Sequence, residues 1–152
     1  MNDALDRLAR DLGLAAPEHA HLRYAFAHAC VLRVRHLLED ARVGACLAGL
    51  GRWLAGECDD AHRDALAAEA AALANHHPGS RAIDGCGHAA VSATYAVARA
   101  LAGDALQAAD YAAYATVYAQ GGAAAVADRD SFASEFRWQA DCLAQLAALE
   151  TE

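Results

Sequence analysis

Cys58 and His62 stand one helical turn apart, with Glu57 just before them. An imidazole beside a thiol lowers the thiol's pKa and makes it a nucleophile. This pair is therefore the strongest candidate for covalent chemistry. No second cysteine completes a CxxC, so disulfide cycling within the motif has no partner. The blander alternative is an inert cysteine at a helix start beside a surface histidine. Metal binding is the other chemistry these residue types allow. His19/His21, His28/His36 and His76/His77 are pairs, and Cys86 is close to His88. A di-iron bundle needs ExxH on two helices, and here only Asp59–His62 has even a DxxH spacing. HExxH is absent, and the histidines lack the ordered spacing of a structural zinc site. No phosphate loop, GxSxG elbow or dinucleotide fingerprint occurs. The expectation is a protein with no catalytic residues, no metal and no cofactor.

Two polar stripes could instead form a binding face. Tyr111, Tyr114 and Tyr118 recur at i, i+3 and i+7 on one helix. Tyrosine suits interfaces, although the bundle's own packing, with hydroxyls at the rim, is the expected use. His88, Ser92, Tyr95 and Arg99 follow helical spacing on the helix before it. They are expected to face water rather than line a groove.

The elements that must position these residues are helices. Alanine dominates the chain, and aromatic residues are only 7 % of it. Alanine is the best helix former and lets helices approach closely, while Val, Ile and Thr are too few for a sheet. Periodicity predicts helices over about Asn2–Leu12, Pro17–Leu38, Arg42–Ala55, Ala61–Asn75, Ser80 or Asp84 to Leu101, Ala105 to the Gly121–Gly122 pair, and Asp128–Leu149. Gly13 and Gly103 are natural stops. Asp59 or Asp60 can cap the fourth helix, and Asp104 with Gln107 has capping-box spacing for the sixth. His76–Ser80 is the clearest loop. Leu22, Phe26, Cys30, Val34 and Leu37 form the second helix's stripe; Leu47, Leu50 and Leu54 the third's; Ala89, Ala93, Val97 and Leu101 the fifth's. The last helix is expected to pack through Phe132, Phe136, Leu143 and Ala147. The fold class is all-α: six or seven antiparallel helices in a bundle or array, with residues 1–152 as a single domain.

Formal charge is −8, and every cationic side chain is arginine. Residues 1–100 hold ten arginines and twelve acids, whereas residues 101–152 hold two arginines and eight acids. Such a surface repels nucleic-acid phosphates and anionic lipid, and favours a basic partner. Five cysteines in odd number, and an opening MNDALDRLAR that reads as a charged amphipathic helix rather than a signal peptide, predict reduced thiols and a cytoplasmic location.

The segments AHACVLRVRHLLED, LAGLGRWLAGE, CGHAAVSATYAVARALAGDALQAADYAAYA and EFRWQADCLAQL resemble the fifth-numbered family of immunity proteins from bacterial polymorphic-toxin systems. The matching features are Cys30, Trp53–Leu54–Gly56, Gly87–His88–Ala89–Ala90, and Glu135 with Trp138–Gln139. They span about residues 25–147. An Arg-Pro-Arg-like turn is replaced by Asp40–Ala41–Arg42–Val43, and a later histidine on the Gly-His helix is missing. The resemblance implies a cytoplasmic protein that binds and neutralises a cognate toxin domain without catalysis. An acidic surface would suit a basic toxin such as a nuclease. The charge excess directs the expected contact surface to Asp104, Asp110, Asp128, Asp130 and Glu135. The alternatives are a small thiol or metal-dependent enzyme using Cys58 and His62, and a homo-oligomeric helical scaffold.

Overall fold

The computed structural model describes residues 1–77 and 86–151, apart from the side chains of Cys86 and Gly87. Seven α-helices and no strand occur among the described residues: α1 Asp3–Leu12, α2 Ala20–Leu32, α3 Ala41–Leu54, α4 Asp60–Asn75, α5 Cys86–Leu101, α6 Ala105–Ala127 and α7 Ala133–Glu150. The all-α expectation holds. Much of the predicted loop after His77 and the predicted start of the fifth helix at Ser80 or Asp84 lie outside the described residues.

Local chemistry explains most helix ends. Asn2, Asp40, Asp59 and Asp104 each accept a backbone N–H of the first turn, from Leu5, Arg42, His62 and Gln107 respectively. Each satisfies a donor that the helix leaves orphaned. Gly13 closes α1 at φ 65°, in the left-handed region that favours glycine.

Three boundaries differ from expectation. The second predicted helix is split, with single 3₁₀ turns at Pro17–His19 and Arg35–Leu37 on either side of α2. Val34 leaves helical dihedrals (φ −115°, ψ 9°). The chain turns there, keeping Val34 fully buried while Leu37 and Leu38 join the edge of the same core. In α6, Gly122 breaks the helix (φ 67°, ψ −156°), yet helical turns resume as far as Ala127. Asp128 then caps a 3₁₀ turn, Arg129–Phe132, before α7 begins.

α2 is the hub. It packs against α3, α5, α6 and α7, and Leu22, Tyr24, Phe26, Ala27, Cys30 and Val31 are all buried. A helix whose apolar residues spread around much of its circumference can pack against several neighbours at once. α3 and α4 form one neighbouring pair, α5 and α6 another, and α1 lies on α7. Small residues set the spacing. A Cβ at Gly49 of α3 would collide with Leu66 of α4. On α5 and α6 the contact is made by buried alanines, among them Ala89, Ala93, Ala96, Ala108, Ala112 and Ala115.

α7 faces inward through Leu143 as expected, with Ala147 packed at the core's edge, but its other buried positions are not the expected phenylalanines. Glu135, Gln139 and Leu143 are its buried residues, while Phe132 and Phe136 are half-buried and stack on each other. Two polar side chains thus occupy core positions, and both are hydrogen-bonded there.

Candidate functional site

The two polar stripes of α5 and α6 meet. Only Ala102–Asp104 separate the helices, and Gly103 turns the chain at φ 80°. A Cβ there would press on the Tyr24 hydroxyl at 3.0 Å. The helices therefore run antiparallel, and positions whose numbers rise on α5 face positions whose numbers fall on α6. His88 lies against Tyr118, with ring centroids 5.1 Å apart. Tyr95 stacks on Tyr111 at 5.5 Å, and Tyr114 contacts Tyr118 at 5.6 Å. Buried alanines bring the backbones close along one side; the larger polar residues splay on the other.

The splay opens a surface groove of 560 Å³, whose lining includes His88, Ser92, Gln107, Asp110, Tyr111 and Tyr114. The α5 stripe was expected to face water; instead His88 and Ser92 form one wall of this recess. The α6 tyrosines are half-buried: all three pack, and Tyr111 and Tyr114 also line the groove.

Two groups in the groove have no hydrogen bond to a described residue. Ser92 is only 8 % exposed, and its hydroxyl makes no hydrogen bond to any described residue. Thr94, two residues on, is buried as well but donates to the Ala90 carbonyl at 2.8 Å. Asp110 stands at the surface with no ion pair or hydrogen bond among the described residues. Partial burial holds its carboxyl above the usual carboxylate range; repulsion from Asp6 and Asp104 adds to this, and the nearby N-terminal amine opposes it. Asp104 sits just beyond, its side chain capping α6.

The other acids expected at a contact surface lie elsewhere. Asp128 and Asp130 flank the turn after α6, at the far end of that helix from Asp104. The five acids thus form no single patch. Glu135 is directed inward and is 7 % exposed. Its carboxylate receives two hydrogen bonds from Arg33, at 2.6 and 2.9 Å, and the Arg33 guanidinium lies 4.0 Å from the Trp138 ring centroid. A carboxylate so engaged is not a free surface charge. One turn on, Gln139 donates to the Ala109 carbonyl at 2.8 Å and accepts from Asn2 at 3.2 Å. Asn2 also donates to the Phe136 carbonyl. This network ties α1, α6 and α7 together. Sequence reasoning missed Asn2 and Arg33. The one available signal was the i, i+4, i+8 alignment of Glu135 and Gln139 with Leu143.

Burial keeps three of the thiols protonated. Burial pushes Cys30 well above its ordinary pKa, with Cys142 and Glu135 nearby adding to the effect. It raises Cys46 to about 11 and also raises Cys142. Cys58 is half-buried, its sulfur 3.9 Å from the Gly49 carbonyl. His62 is exposed, and no hydrogen bond joins it to Cys58. Trp53, from the W-L-x-G segment, donates to Asp60 at 2.8 Å. Its ring and that of Tyr24 each lie near the Arg63 guanidinium, at 4.6 and 4.5 Å. Among the described residues no three His, Cys, Asp or Glu side chains gather as a metal site would require, and no helix is long and apolar enough to cross a membrane. Comparison with protein-family models, with curated proteins and with solved structures finds no match to this chain.

Proposed function

We propose that this protein is a bacterial immunity protein that acts in the cytoplasm by binding and neutralising a cognate toxin domain, without catalysis. The observation that carries the reading is the α5–α6 groove. It is open, walled by Tyr111 and Tyr114, and lined by the Asp110 carboxylate and by Ser92, whose hydroxyl has no hydrogen bond to a described residue. Tyrosine supplies large contact area with few rotatable bonds, and is enriched at interfaces. The resemblance to an immunity family supports the same reading. Of its matching positions, Glu135, Trp138 and Gln139 hold α7 to its neighbours, and Trp53 braces α3 against α4. Such residues maintain a scaffold, which is what a binding protein requires of its interior.

Net charge makes a basic toxin the expected partner, because complementary fields speed encounter and exclude wrong partners. The test is co-expression with a toxic domain encoded beside this gene. Restored growth and a stable co-purifying complex are the expected results. No protection and no complex would remove the proposal. Within a complex, Asp104→Arg and Asp110→Arg should slow association and flatten its salt dependence. Asp128→Arg and Asp130→Arg, at the far end of α6, should do so less.

A further inference from the structure

We infer that the α5–α6 groove is a receptor for an arginine side chain presented by the partner. The inference rests on the partner-binding reading and names the chemistry that would be recognised.

Two of the protein's arginines are placed in the same way. Arg33 combines two hydrogen bonds to the Glu135 carboxylate with a position over the Trp138 ring. Arg63 lies near the rings of both Tyr24 and Trp53, within 3.9 Å of Asp60 and 3.2 Å of Asp64. A carboxylate beside an aromatic ring is the surrounding a guanidinium prefers, because its flat, weakly hydrated cation stacks while its edge donates. The groove has the same parts: the Tyr111 and Tyr114 rings with the Asp110 carboxylate. What it lacks is the arginine. Arg99, the cation of the α5 stripe, makes no ion pair with Asp110 among the described residues.

Ser92 is independent of the charge argument. Ser92 lines the recess, the residue as a whole only 8 % exposed, and its hydroxyl has no hydrogen bond to a described residue. Its oxygen can accept one of the five guanidinium N–H groups, and Gln107 adds a further acceptor at the rim. An ammonium is a more strongly hydrated point charge and gains less from the tyrosine faces. The 560 Å³ recess exceeds what one side chain needs, so it has room for the loop that would carry the arginine.

The test uses the isolated full-length protein and needs no toxin. N-acetyl-arginine amide is titrated into ¹⁵N-labelled protein, with the citrulline amide as a neutral probe of the same shape and the lysine amide as an ammonium probe. Saturable shifts at Ser92, Asp110, Tyr111 and Tyr114, with a dissociation constant on the order of millimolar, are the expected result. Citrulline amide should bind about tenfold more weakly or not at all, lysine amide should bind more weakly than arginine amide, and Asp110→Asn should abolish the preference for arginine. Equal binding of citrulline, equal binding of lysine, shifts outside the groove, or no saturable shift would each overturn the inference. Rescue of growth without arginine binding would leave the immunity reading standing and remove this one. Arginine binding without rescue would do the reverse.

Discussion

The α7 network and the α5–α6 groove are built from similar side chains and treat them oppositely. Around α7, Glu135, Arg33, Gln139 and Asn2 are hydrogen-bonded to one another or to backbone carbonyls, and Trp138 covers the guanidinium. In the groove, the Asp110 carboxylate stands beside other acids and the Ser92 hydroxyl has no hydrogen bond to a described residue. A buried polar group that is satisfied adds stability and specifies one arrangement, while an unsatisfied one costs stability. The contrast separates side chains that hold the fold from side chains left available for something outside it.

Mutation should widen or collapse that contrast. The largest effect is expected for Gln139→Ala. It removes the bond to Ala109, strips Asn2 of an acceptor and leaves a cavity, so urea unfolding should show a loss of about 2–4 kcal/mol. Glu135→Gln should cost about 1–3 kcal/mol in the same assay. The figure is held down because the Arg33 side chain is 38 % exposed and recovers water when its partner is lost. Ser92→Ala deletes a hydroxyl that has no hydrogen bond to a described residue. Its unfolding free energy should match wild type or exceed it by up to about 1 kcal/mol. A clear destabilisation at Ser92 would place it with the α7 network and dissolve the distinction.

Much of the scaffold was legible because helix ends are governed locally. Asp59, Asp104 and Gly13 act at the positions their residue types suggest. The end of α2 was not legible, because Val34 turns inward to fill a core assembled from distant segments. Glu135 was read as a surface charge because carboxylates are seldom buried. Its partner lies 102 residues away in sequence, and no local spacing announces such a pair. The groove stands between these cases. The tyrosine row and the His88–Ser92 stripe were each visible as helical periodicity, but their meeting depends on the antiparallel pairing set at Gly103. The acids were visible as a charge excess, but not their division between the groove, the opposite end of α6 and the interior.

The most direct test of the contrast is the thermal stability of Asp110→Asn as a function of pH. The folded-state pKa of Asp110 lies above its ordinary value of 3.8, so its ionised form opposes folding. The wild-type protein should lose the favourable contribution of the protonated carboxyl as pH rises through that raised pKa. At neutral pH the asparagine variant should therefore melt slightly above wild type. The advantage should shrink as the pH falls, and vanish below the ordinary carboxylate value, where both side chains are neutral. A variant that melts below wild type at neutral pH would show that the Asp110 charge stabilises the fold, and would contradict the account of the groove as a site held open for a partner.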